Sequence, residues 1–158
     1  MALQIRRVVT SHDATGRAIV KIDETAKNLV SSRPGATSCV VWTTQGFPAN
    51  TDGEEDEGLR KTSTTLANGT VFRVLELAPG VSPRNHRTDS IDYAVVMAGE
   101  VDMELNDATV HLKAGDVLVQ RGTIHNWVNR GTEPCVIAFV LIAAKPATAG
   151  GKVLIAQG

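Results

Sequence analysis

Two glycine-bounded runs, Gly80 to Gly99 and Gly115 to Asn129, constrain this chain most, because each sets polar side chains at fixed intervals on segments of strand character. In the first, His86 follows Gly80 after five residues, Thr88 and Asp92 come next, and Gly99 closes the run. In the second, Gly115-Asp116 opens the β-rich stretch Val117 to Gln120, Arg121-Gly122 turns the chain, and His125, Trp127 and Asn129 follow. Residues two apart on a strand share a face, so His86 is expected to point with Thr88, and His125 with Trp127. Two histidines and a carboxylate brought together on short strands form a candidate metal site.

The rest of the pattern is also β. Val101, Met103 and Leu105 alternate with Asp102 and Glu104, Asn106-Asp107 reads as a turn, and Val110 and Leu112 alternate with His111 and Lys113. These segments predict a hairpin with its polar residues, His111 included, toward water. Val71, Arg73, Leu75 and Leu77 alternate with Phe72, Val74 and Glu76 on a strand that Pro79-Gly80 closes. The nearly unbroken apolar run Val136 to Ile142 predicts a strand covered on both faces by another sheet, an arm or a partner subunit. Ile5 to Thr10 and Arg17 to Ile22, joined by the turn-rich Asp13 to Gly16, predict a hairpin arm, and Cys39 to Trp42 a further strand. The carboxylate run Asp52 to Gly58 lacks the alternating ligand spacing of a calcium loop and reads as a solvated segment. Ala147 to Gly151 reads as a linker, with Lys152 to Ala156 able to add an edge strand.

The spacings resemble the two motifs of the cupin family of small β-barrels. The first family motif runs Gly, five residues, His-x-His, three or four residues, Glu, six residues, Gly; here Thr88 stands at the second His and Asp92 at the Glu. In the second motif, Arg121-Gly122 replaces a Pro-x-Gly turn and the interval from Gly115 to His125 is one residue shorter, while His125 and Asn129 agree. The resemblance implies an all-β fold, a double-stranded β-helix or jelly-roll barrel with an N-terminal hairpin arm. It divides the chain into arm and connecting loops at residues 1–65, a barrel at 66–146 and a tail at 147–158. It also implies His86, Asp92 and His125 as ligands of iron, manganese, nickel or zinc, with Thr88 at most orienting a metal-bound water.

Each site residue has a plainer alternative. A strand histidine is often a hydrogen-bonded core residue, Asp92 could simply pair with Arg84 or Arg87, and Trp127 could line a cavity or plug the core. Arg121 lies in the turn before His125, where it could meet a carboxylate substrate or face water. Thr88, Trp127 and Arg121 are the expected substrate contacts, and His86, Asp92 and His125 the expected catalytic groups.

Composition narrows the partners. A chain of 158 residues suffices for one core that removes roughly two-thirds of its unfolded surface from water. A net charge of −1 gives no basic footprint for nucleic acid or an anionic membrane. The N-terminal residues lack the order of a signal peptide, and no apolar run approaches the ~20 residues needed to span a bilayer. A cytosolic address is expected, with Cys39 and Cys135 as buried reduced thiols. The expected activity is that of a metal-assisted lyase or isomerase on an oxygenated or carboxylated small molecule. The alternatives are a non-haem iron dioxygenase and a metal-free binding or sensing module. A homodimer is the expected assembly.

Overall fold

The computed structural model describes residues 2–158. β1 (Arg6–His12) and β2 (Ala18–Thr25) form a separate antiparallel hairpin. Asp13 shapes its turn, the carboxylate accepting from the backbone N–H groups of Thr15 and Arg17.

The main sheet draws on strands between residues 29 and 143. β3 (Leu29–Arg33), β4 (Ala36–Gln45), β5 (Gly69–Leu77), β6 (Ser90–Ala98), β9 (Val117–Arg121) and β11 (Cys135–Ala143) pair in the order β3-β4-β5-β11-β6-β9. Opposite it lies a smaller sheet of β7 (Glu100–Glu104), β8 (Thr109–Lys113) and β10 (Asn126–Val128), in the order β10-β7-β8. The expected hairpin is present in register, Val101 opposite Leu112 and Met103 opposite Val110, with His111 exposed beside Asp102. Gly99 turns the chain between β6 and β7 at a φ of +70°, and a side chain there would also strike the Pro134 carbonyl.

The core fills the space between the two sheets. Val71, Leu77, Val96, Val101, Met103, Trp127, Ile137 and Leu141 pack in one buried cluster. Three inward rows cross the large sheet: Ser38, Leu75, Ile137 and Val96; Val40, Arg73, Phe139 and Ala94; and Thr43, Val71, Leu141, Asp92 and Gln120. Because pairing register sets which face each side chain takes, these rows place Arg73 and Asp92 inside, among apolar neighbours.

Three expectations change. The apolar run at 136–142 arises because β11 is a central strand, hydrogen-bonded to β5 and β6; one side of it is buried and the other half-buried. Residues 147–151 are no linker, since β12 (Ala147–Ala149) pairs with β13 (Lys152–Leu154) around a Gly150-Gly151 turn. Residues 29–45, read as part of the connecting region, supply two strands of the main sheet. The hairpin arm docks through the buried Arg7, whose guanidinium donates to Asp56, Glu24 and the Val41 carbonyl. Gly58 is required beneath it, because any side chain would occupy the place of the Arg7 guanidinium.

Candidate functional site

His86 and His125 meet outside the regular strands, in an isolated antiparallel bridge. Each backbone N–H donates to the other's carbonyl at 2.9 Å, and the ring centroids lie 4.2 Å apart. Each ring is held in the same way: Nδ1 lies 3.0 Å from the carbonyl two residues upstream, Arg84 for His86 and Thr123 for His125. A carbonyl only accepts, so Nδ1 carries the hydrogen and the neutral ring keeps its lone pair on Nε2.

Burial keeps both rings neutral. Desolvation lowers the His125 pKa to about 4, with a further contribution from His86. The His86 pKa is also lowered, chiefly by desolvation and then by the nearby Arg84 and Arg33 charges. Both imidazoles line a cavity of about 280 Å³. The cavity is shared by Thr88, Asp92, Trp127, Phe139, Leu75, Leu141 and three arginines, Arg33, Arg73 and Arg84.

Asp92 faces the same space from β6 and is 4% exposed, and burial raises its pKa. Its Oδ1 lies 2.5 Å from Ser90 Oγ, which lies 2.9 Å from Thr88 Oγ1. A serine hydroxyl has one hydrogen, so the polarity of this chain follows the protonation of Asp92. With the carboxylate ionised, Ser90 donates to it and accepts from Thr88. With the carboxyl protonated, the chain can run the other way, Asp92 donating to Ser90 and Ser90 to Thr88, which leaves the Thr88 hydroxyl hydrogen for the cavity. The alternative pairing of Asp92 with Arg84 or Arg87 is not formed; the charge it senses is Arg73.

The expected three-donor metal centre is not assembled. Among the described residues, no three His, Cys, Asp or Glu side chains gather closely enough to hold one ion. The two imidazole rings lie side by side, but Asp92 is drawn onto Ser90 along its own strand, and Thr88 brings a hydroxyl where the motif has a nitrogen. The residues therefore do not fit a His86-Asp92-His125 centre.

Trp127 serves both roles open to it. It is 3% exposed, its ring meets His125 edge-on at 5.6 Å and Phe139 at 5.9 Å, and it forms cavity wall and core at once. Arg121 is a correction: it is exposed and does not line the cavity. It pairs with the outward Ile91, one position from the buried pair Asp92 and Gln120, and that single step puts it on the other face. Asn129 is buried and secures backbone, its amide donating to the Leu77 and Glu133 carbonyls. Arg33, Arg73 and Ser90 were not among the expected site residues. The visible signal for one of them is an arginine in the apolar register of 71, 73, 75 and 77.

Two facing sheets around a polar chamber define a double-stranded β-helix protein with a small-molecule-sized cavity. The profile of the family described as "Cupin domain" matches residues 73–142. The "Phomopsin biosynthesis cluster protein C'" of Diaporthe leptostromiformis is 35% identical, over 94% of this chain and 83% of its own length. The "Cupin-domain-containing oxidoreductase fogC" of Aspergillus ruber is 32% identical, over 94% of this chain and 77% of its own length. The chain belongs to the cupin family. Among solved structures, KdgF from Halomonas sp. is 17% identical with a TM-score of 0.48, covering 72% of this chain and 86% of that one. Among the described residues, no helix is long and apolar enough to cross a membrane.

Proposed function

We propose that this cupin is a small-molecule enzyme of lyase or isomerase type, moving a proton on an oxygenated substrate with its own side chains. The observation that carries this reading is the pair of neutral imidazoles whose Nε2 lone pairs remain available to the cavity. A general base should be largely unprotonated at working pH and fixed in orientation, and the Nδ1–H bonds to backbone supply the second condition. Asp92, with its pKa raised by burial, is suited to give a proton to a developing oxyanion or hydrogen-bond to it, with Ser90 and Thr88 in line behind it. Trp127 and Phe139 supply an apolar wall that excludes water.

The test is a screen of β-keto acids, hydroxylated aromatic acids and lactones, run anaerobically and followed by NMR in deuterated water. The expected result is deuterium incorporation or bond cleavage that falls about 10²–10⁴-fold in His86→Asn and His125→Asn. Turnover indifferent to both substitutions would overturn the reading.

The name of the Aspergillus ruber relative favours a second reading, an oxidoreductase. Substrate-dependent oxygen uptake that vanishes in His125→Asn would establish that reading over the first.

The same proposal includes a cytosolic address and a homodimer. Cys39 and Cys135 are free buried thiols, compatible with a reducing compartment. The outer face of the main sheet carries Phe72, Tyr93, Val95, Met97, Val117 and Val119 in exposed positions, a surface suited to a second copy.

A further inference from the structure

We infer that Arg33, Arg73 and Arg84 form a binding site for the carboxylate of an acid whose body is apolar. This deepens the proposed function and rests on the cavity being the reaction chamber.

The three arginines come from different parts of the fold, β3, β5 and the loop before His86, yet they line one cavity. Arg33 and Arg73 donate only to neutral carbonyls, Arg33 Nε to Ser82 and Arg73 Nη2 to Ser63 and Thr64, whereas Arg84 Nη2 donates to Thr64 Oγ1 and to an oxygen of Gly158, the last residue of the sequence. Arg73 Nε is buried without an acceptor.

Other arginines of the chain show the contrast. Arg6, Arg7, Arg60 and Arg130 all sit on carboxylates, whereas Arg33, Arg73 and Arg84, like Arg17, Arg87 and Arg121 outside the cavity, are in no side-chain ion pair among the described residues. In a protein of net charge −1, three guanidinium groups therefore share one small chamber with a single side-chain carboxylate, Asp92, whose charge favours the Arg73 guanidinium. Burial works against the charge of Arg33 and Arg73, and the nearby Arg84 adds to it. Such an arrangement is relieved by a ligand anion, and the planar guanidinium fork suits a carboxylate.

The remaining walls decide the rest of the ligand. Trp127, Phe139, Leu75 and Leu141 offer apolar surface, and about 280 Å³ lies near the lower end of small-molecule pockets. An acid held by the arginines would rest its body on these walls within the chamber that also holds the two Nε2 atoms. The carboxylate recognition expected at Arg121 thus belongs to arginines on the opposite, inward face of the sheet.

The experiment is calorimetric titration of the full chain with benzoate, benzamide and inorganic phosphate. Benzoate should bind at least about tenfold more tightly than benzamide, weaken with added salt, and exceed phosphate. Arg73→Met and Arg84→Met should each weaken benzoate by about tenfold while leaving benzamide unchanged, the latter serving as the check on folding. Should either variant fail to fold, Arg33→Met and the charge-retaining Arg73→Lys replace them, Arg73→Lys keeping more benzoate affinity than Arg33→Met. Equal binding of benzoate and benzamide, wild-type benzoate affinity in every arginine variant, or phosphate as the tightest ligand would each overturn the assignment. Benzoate discrimination without any turnover in the wild type would leave the anion site standing while the proposed reaction falls.

Discussion

His86 and His125 lie directly opposite one another, each backbone N–H donating to the other's carbonyl at 2.9 Å, with their rings 4.2 Å apart. Two imidazoles so close cannot both take up a proton cheaply, because each charge would repel the other in a buried setting. The bridge therefore fixes geometry and protonation together.

That coupling predicts the pH dependence of stability. Above the ordinary imidazole value near 6.5, His125 is neutral in both the folded and unfolded chain; between 6.5 and about 4 only the unfolded chain takes up the proton. Stability falls as pH drops through this window, by on the order of 3 kcal/mol for His125, at about 1.36 kcal/mol per pH unit. His86 acts in the same direction. Asp92 opposes them, since its raised pKa favours the fold in acid and costs stability as pH rises through the folded value. Urea unfolding from pH 4 to 7 should show a flatter profile for His125→Asn and a steeper one for Asp92→Asn. An unchanged slope in His125→Asn would refute the assignment.

The incomplete donor set predicts a gain of metal binding on repair. The double substitution Thr88→His with Asp92→Glu restores the family's donor types around the histidine pair. After dialysis against dilute chelator, the variant should retain close to one divalent first-row metal per chain by mass spectrometry, and the wild type far less. A wild type that already retains one equivalent, lost in Asp92→Ala as well as in His86→Ala, would show that Asp92 does reach the metal.

Arg7 is 2% exposed and holds Glu24 of its own hairpin at 2.6 Å and Asp56 at 2.6 Å, the second contact joining the arm to the rest of the fold. Arg7→Met should cost about 3 kcal/mol, at the low end for a broken buried pair because both carboxylates keep some water. Urea melts at pH 7 would measure it. A loss below about 0.5 kcal/mol would mean that the arm is not held by this residue.

The exposed sheet face predicts a dimer that a single charge would disrupt. Phe72, Val140, Tyr93 and Val119 form one row across β5, β11, β6 and β9. Sedimentation at micromolar concentration should give a dimer for the wild type and a monomer for Tyr93→Glu. A monomeric wild type would remove the homodimer from the proposal.

Much of the fold was legible in advance because strand alternation is a local property. The hairpin at 100–113, the strand at 69–77 and the arm at 6–25 all follow from period-two patterning and turn residues. β3 was missed because Leu29 to Arg33 alternates weakly: four of its five residues are exposed, and only its pairing with β4 makes it a strand. The His86 and His125 positions were legible from spacing. The placement of Arg121 was not, since one residue of register decides which face it takes.

By itself the sequence determined the elements and the chemistry available: glycine-bounded strands, two histidines, one inward aspartate and an arginine set among apolar partners. Only the tertiary structure decided which of these meet. Arg33, Arg73 and Arg84 become neighbours through pairings across the sheet and through the loop that carries His86, contacts between residues 11 to 51 positions apart. The same folding draws Asp92 onto Ser90 rather than the histidines, so that three residues with suitable spacing do not close into one site. Spacing along a strand sets only a side chain's direction, whereas convergence depends on the position of every strand between them.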